Sequence, residues 1–233
     1  MSKDKLNYYT YNLDMKILNI LAIILFIIII FLMIILKIDF SGITKYNMGF
    51  LIITLIIWLI FHEILHGIGF SLFKSVNKKN IVFGMSLEKG VFYCMCKEKI
   101  SRKIIFTSLL FPVTIIGIIT LIVGILFSND LLIYLSISNI IGSIGDIIMS
   151  IYFYKCPKDI IYLDLDDCTS FTVLSKKDLS NISVPGIKLI SNGIYNNQMI
   201  AKDKRRLVIS KSSWIILIII FILILIYIIG GVL

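Results

Sequence analysis

Two histidines occur in this 233-residue chain, and both fall in one pentapeptide, His62-Glu63-Ile64-Leu65-His66. Imidazoles four residues apart on a helix leave the same face one turn apart, so two neutral nitrogens can grip one metal ion. The glutamate between them is placed to handle the proton of a water held at that ion. H-E-x-x-H therefore points to zinc as cofactor and to hydrolysis as chemistry. A catalytic zinc commonly has three protein ligands and one open position, and the chain has no third histidine. Of its 14 acidic residues, only Glu63 and Asp146 lie inside long apolar runs. Ionisable groups in such runs are costly, usually face a bundle interior and are functional by default. Asp146 is thus the expected third metal ligand beside His62 and His66, and Glu63 the expected catalytic base. The bland alternative, a core histidine pair bonded to neighbouring helices, must account for two His and a Glu in one short apolar stretch.

The elements that have to position these residues are membrane helices. The chain is 58% hydrophobic and only 16% charged, with a mean hydropathy of +0.99. Soluble domains carry about a quarter charged residues. A helix rises ~1.5 Å per residue, so about twenty apolar residues cross a ~30 Å hydrocarbon core. Four runs reach that length, Ile17–Leu36, Met48–Phe73, Ile104–Phe127 and Leu131–Phe153, and Trp214–Ile229 is slightly short. The first and last are nearly pure Ile, Leu and Phe, and need carry no chemistry. The first run is too long for a signal peptide and no small-residue cleavage site follows it, so it reads as an uncleaved helix.

Basic residues set the orientation. Three Lys precede the first run, two lie in the first loop, eight in the second, none in the third, and ten between Lys155 and Lys211. Cytoplasmic loops carry the Lys/Arg excess. The expectation is a multi-pass cell-membrane protein with its N-terminus, second loop and residues 155–212 in the cytoplasm and its C-terminus outside. Basic loops beside an anionic leaflet also explain the net charge of +9, leaving no case for nucleic acid as a partner. In this topology the second and fourth runs are parallel. His62 and His66 lie 12 and 8 residues before Lys74, and Asp146 lies 9 before Lys155. At ~1.5 Å per residue, both sites sit roughly 12–18 Å from the cytoplasmic end, so the active site faces that side.

Other stretches carry weaker signals. Asn139, Gly142 or Ser143, and Asp146 recur at helical spacing on the fourth run, with Ser150 beyond. Such stripes serve ordinary membrane-helix packing; Asn139 and Ser143 are also candidates to bind substrate or to support the metal ligands. Between the second and third helices, residues 80–96 hold two β-favouring runs flanking Glu88-Lys89-Gly90, which suggests a hairpin. It is either a plain connector or an edge to which an extended peptide adds. Cys94 and Cys96 form a C-x-C, and Cys156 and Cys168 are scattered. All four are cytoplasmic, where disulfides are uncommon, and C-x-C alone is a weak zinc signal. Residues 159–166 and 168–174 read as short strands. Asp164, Asp166 and Asp167 form a solvated turn, since the glycine and terminal Glu of a calcium loop are missing.

The fold expected is an all-α polytopic membrane protein of about five transmembrane helices, with a small β-hairpin insert and a small, partly β cytoplasmic segment. Residues 1–154 form the core, 155–212 the cytoplasmic segment and 213–233 the last helix. This arrangement resembles the intramembrane metalloproteases typified by site-two proteases. It is also similar to a family of small bacterial membrane proteins described as zincin peptidases. The likeness covers roughly residues 48–167. It rests on His62 to Gly67, Phe83-Gly84, Tyr93-Cys94 with Lys97-Glu98, Pro112, and Ser143 to Asp146. Where site-two proteases usually carry L-D-G, this chain has Gly145-Asp146-Ile147, so the aspartate carries over and the following glycine does not. The resemblance implies a zinc-dependent endopeptidase in the lipid bilayer, acting on membrane proteins or peptides. The alternative is a non-proteolytic membrane protein, such as an immunity factor, adaptor or pseudoprotease, with a structural zinc site. Glu63 separates the two, because a structural site has no need of a base.

Overall fold

The structure is a computed structural model and describes residues 6–39, 41–86, 91–165 and 169–195. The expected helix at 214–229, Cys168, Asp166, Asp167 and the hairpin turn at 88–90 lie outside the described residues. In chain order the elements are β1 (Asn7–Leu13), α1 (Met15–Ile35), α2 (Met48–Ser71), β2 (Ile81–Ser86), β3 (Val91–Cys96) and β4 (Ile100–Ser101). There follow α3 (Arg102–Pro112), a π-helical stretch (Val113–Ile119), α4 (Thr120–Leu126), α5 (Asp130–Gly142), α6 (Ile144–Lys155), β5 (Ile161–Asp164), β6 (Ser170–Ser175) and β7 (Ile187–Ile194). Among the described residues, three helical segments are long and apolar enough to cross a membrane: Met15–Ile35, Met48–Ser71 and Arg102–Leu126. The α5–α6 pair makes a fourth if it counts as one span.

The expectation of an all-α protein is corrected. β4, β5, β6, β1 and β7 form one antiparallel five-stranded sheet in that order. The N-terminal strand lies inside it, between β6 and β7, with Tyr9 opposite Val173 and Asn192. Tyr9 and Tyr11 alternate inward, as strand geometry requires, and are 3% and 2% exposed. Their partners come from the far end of the described chain, which is why the basic N-terminal segment does not read as part of a fold. The sheet packs on the helices through aromatic rings. Tyr11 lies 4.9 Å from Tyr152 and Phe153 lies 5.4 Å from Tyr162, centroid to centroid. These contacts anchor the second half of α6, the helix that carries Asp146.

α1 leaves the sheet without a loop. Asp14 caps it, accepting from the Lys16 and Ile17 amides, and pairs with Lys188 of β7 at 2.6 Å. The Asp14 amide donates to Gly186, whose φ of +86° suits glycine. The hairpin β2–β3 forms as expected and lies against α2. A Cβ at Gly67 would come within 2.3 Å of the Phe83 ring. The Cys96 amide donates to Asp164 Oδ2 at 2.9 Å, tying β3 to β5. Asp164 also accepts from the Tyr162 hydroxyl, so this aspartate joins strands.

Two expected helices are broken, for legible reasons. The run 104–127 spans α3, the π stretch and α4. Pro112 lacks the N–H that would continue the α-helical ladder. The run 131–153 is α5 and α6, which meet at Ser143 with a 51° bend. Gly142 and Gly145 flank the break, both poor helix formers. The Ser143 hydroxyl donates to the Asn139 carbonyl four residues back at 2.6 Å, a bond that bends helices. The stripe of Asn139, Ser143 and Asp146 therefore spans a joint between two helices.

Candidate metal centre

α2 buries one face over its last turns: His62, His66, Gly67, Gly69 and Phe70. This face packs against α3, α5 and the hairpin. Gly69 lets α3 come close, since a Cβ there would stand 2.8 Å from the Ser108 Cα. The bend between α5 and α6 carries Asp146 up to the same face. His62 Nε2 and Asp146 Oδ2 are 3.1 Å apart, His66 Nε2 and Asp146 Oδ2 3.5 Å, and the two Nε2 atoms 3.0 Å. The three atoms converge on one point. Glu63 offers an oxygen to the same group, with ligand atoms of His62, Glu63 and His66 all within 4.8 Å of one another. His62, Glu63, His66 and Asp146 are thus brought together.

The opposite nitrogens of both rings are fixed. His62 Nδ1 lies 2.9 Å from Asn139 Oδ1, and the Asn139 amide nitrogen points at the Pro112 carbonyl at 3.5 Å. An oxygen facing Nδ1 means that Nδ1 carries the proton and donates it. His66 Nδ1 donates to the Ser108 carbonyl at 2.9 Å. Pro112 explains why that carbonyl accepts from a side chain. In an unbroken helix the amide of residue 112 would donate to it, and proline has none. The Ser108 hydroxyl returns a bond to the His66 carbonyl at 2.9 Å. Both imidazoles therefore turn Nε2 toward Asp146, and in the neutral form each would offer a lone pair there.

That arrangement fits a divalent cation. Two ring nitrogens and a carboxylate oxygen, all capable of ligating a metal, face one another in a setting where His62 and His66 are 8% and 6% exposed. Two neutral imidazoles and the carboxylates of Glu63 and Asp146 balance a charge of two. Ligands ~2.0–2.1 Å from zinc in a tetrahedron stand ~3.3 Å from each other, and the observed separations of 3.0, 3.1 and 3.5 Å bracket that value.

The cluster opens on a cavity of about 410 Å³. α2 contributes His62, Glu63, His66 and Phe70, and β3 contributes Phe92–Met95. The α5–α6 joint adds Gly142, Gly145 and Asp146, and the sheet adds Tyr162, Asp164 and Phe171. Gly142 and Gly145 have open space where a side chain would be. Asn139 and Ser143, candidates for substrate contact or for supporting the metal ligands, face the protein. Asn139 holds His62, and Ser143 bonds the Asn139 carbonyl. Ser150 has a buried hydroxyl without a partner among the described residues. Ser108 was missed, because its contribution to His66 is a backbone carbonyl; the available signal was Pro112 four residues later. Among the described residues the Cys form no metal cluster. Burial pushes the Cys96 and Cys156 thiols up to about 11 and Cys94 higher still.

Residues 55–161 match the model of a family described as "Putative zincin peptidase". The matched stretch runs from α2 to the start of β5 and holds all four clustered residues. The match supports a zincin-type peptidase, and the donor set above is what such a protein needs. No curated protein and no solved structure matches the chain.

Proposed function

We propose that the protein is a zinc-dependent, membrane-embedded endopeptidase that hydrolyses peptide bonds of membrane-associated substrates. The observation that carries this is the convergence of His62 Nε2, His66 Nε2 and Asp146 Oδ2, with both Nδ1–H groups held by fixed acceptors. His62, His66 and Asp146 would hold the ion, and Glu63, on the cavity wall, would remain for proton transfer. Zinc bound there supplies Lewis acidity, polarising a peptide carbonyl and lowering the pKa of water toward ~7. Glu63 takes the proton from the attacking water and passes it to the leaving amine as the C–N bond breaks. A free carboxyl end and a free amino end result, and Glu63 returns to its starting state. Asn139 and the Ser108 carbonyl keep the rings from rotating, so the donor geometry is set before the ion arrives.

The sheet supports the orientation read from the charges. β1, β4 and β5–β7 are hydrogen-bonded together, so they lie on one side of any membrane that the helices cross. Two crossings separate β1 from β4. An even number must then separate β4 from β5, which counts α3–α4 as one crossing and α5–α6 as another. Residues 7–13, the hairpin and residues 161–194 then share one side, which the lysine and arginine counts make the cytoplasmic one, and the cavity beneath the sheet would open there. In β3, the Cys96 amide is taken by Asp164 and the Cys94 amide by the Glu63 carboxylate, so an extended substrate would pair alongside Phe92, which lines the cavity.

The test is paired. Zinc is measured in purified protein, and cleavage of a membrane-peptide substrate is compared with Glu63→Gln. The expected result is near-stoichiometric zinc in both, with cleavage lost in the variant. Full cleavage by Glu63→Gln, or unchanged zinc affinity in Asp146→Ala, refutes the mechanism. Zinc bound without any cleavage by the unmodified protein favours the non-proteolytic alternative.

A further inference from the structure

We propose that Asn19 of α1 is a peptide-binding residue, its side-chain amide hydrogen-bonding the backbone of an extended substrate segment in the cavity at the metal centre. This rests on the peptidase reading above and adds a residue from a helix whose composition suggests only lipid contact.

Asn19 is the sole polar residue between Ile17 and Leu36. Random lipid-facing sequence gives no reason for an amide there, because an unpartnered amide in hydrocarbon costs several kilocalories. The structure gives a reason. Met15, Leu18, Asn19 and Ala22 all line the same cavity as His62, Glu63 and His66. Their spacing of 3, 4 and 7 residues is one face of a helix, so α1 presents a defined wall to the metal centre. Asn19 is exposed on that wall and makes no hydrogen bond with any described residue.

The other uncharged polar candidates are engaged. Asn139 spends its oxygen on His62 and its nitrogen on Pro112. Ser143 bonds Asn139, and Ser108 bonds His66. An amide offers a donor and an acceptor side by side, the pair that one residue of extended backbone presents. A helical peptide has both groups satisfied internally. Asn19 therefore discriminates for a segment that has unwound, the form in which a peptide bond is open to attack. Around it the helical walls are apolar, with Leu18, Ala22, Phe70, Ile141 and Met149, which suits a substrate of apolar side chains.

The experiment measures binding without turnover. Full-length zinc-loaded Glu63→Gln protein in detergent micelles is titrated into a fluorescein-labelled decapeptide of leucine and alanine with a lysine at each end. Copies N-methylated at single backbone positions are titrated in parallel. Asn19→Leu, nearly isosteric, is expected to bind the parent peptide roughly 5- to 50-fold more weakly, with zinc content unchanged. One N-methylated copy should lose a similar factor on Asn19 protein and nothing further on Asn19→Leu. Should the leucine variant not fold, Asn19→Ala makes the same comparison. Equal binding by parent and variant overturns the inference, as do N-methyl losses that are identical in both or no saturable binding to Glu63→Gln. Cleavage of the same peptide is followed separately. Cleavage that Asn19→Leu leaves unchanged removes this inference and keeps the peptidase. Asn19-dependent binding without cleavage by unmodified protein does the reverse.

Discussion

Replacing Pro112 by alanine should make the protein more stable and worse at holding zinc. Pro112 is almost wholly buried where α3 gives way to the π stretch. Alanine restores an N–H whose helical acceptor is the Ser108 carbonyl, the group that now receives His66 Nδ1–H at 2.9 Å. A proline inside a helix costs about 3 kcal/mol relative to alanine. Two lost ring methylenes take back about 1.6 kcal/mol at ~0.8 each, so a net gain on the order of 1 kcal/mol remains. Against this, the new N–H competes with the imidazole for one oxygen. Loss of a partner behind a metal-bound histidine typically weakens affinity 10- to 100-fold, or about 1.4–2.7 kcal/mol. Two measurements suffice: thermal unfolding of the metal-free protein and zinc competition against a chromophoric chelator. Unchanged zinc affinity would mean that the carbonyl serves both donors, and the reasoning fails. A parallel fall in stability and affinity would mean that Pro112 acts by packing alone, and it fails equally.

Asn139→Leu should weaken zinc binding 10- to 100-fold in the same chelator assay, while Asn139→Asp, which keeps an acceptor for His62 Nδ1–H, should hold it within a few-fold of the parent; equal loss in both would point to packing. Gly69→Ala puts a Cβ 2.8 Å from the Ser108 Cα, a backbone atom. It should lower stability by about 1–3 kcal/mol and lower zinc affinity with it, as read by denaturant titration and metal competition. The Cys96 and Cys156 thiols, held at about 11 by burial, are roughly one part in a thousand thiolate at pH 8. Iodoacetamide should therefore leave them unmodified in the folded protein, label them on unfolding, and gain ground only as pH rises toward 11; quick labelling at pH 8 in the fold contradicts the burial described.

The centre was legible where its information is local or scarce. His62, Glu63 and His66 sit in five consecutive residues, and Asp146 stands out as the other acid in an apolar run. The hairpin was legible because its two strands are neighbours in sequence. The five-stranded sheet was not, because β1 finds its partners far along the chain, Tyr9 with Val173 among them. Seven residues of alternating pattern beside three lysines look like a tail until those partners are known. Asn139 reads from the sequence as either a substrate contact or a support for the metal ligands, because an amide is hard to hide in lipid. The structure satisfies that amide internally, with His62 on one side and Pro112 on the other. Ser108 had no side-chain signal at all.

Helix defects gather around the candidate metal cluster. Pro112 ends the α-helical ladder, Ser143 with its glycine neighbours bends α5 into α6, and Gly67 and Gly69 admit the hairpin and α3 to α2. Placement of these apolar helices in a membrane, as proposed above, would account for the coincidence. Water cannot serve there as a ready partner for a ring N–H, so each imidazole must find an acceptor within the protein, and intact helices have already used their carbonyls. Breaking α3 opposite His66 releases the Ser108 oxygen. Bending the chain at Ser143 lets one segment supply Asn139 behind His62 and Asp146 in front of it. Defects that cost stability elsewhere are the means by which a bundle of Ile- and Leu-rich helices acquires oriented donors. A variant that heals the break at Pro112 or the bend at Ser143 should therefore trade metal affinity for stability, whereas one that simply removes a ligand should reduce affinity alone.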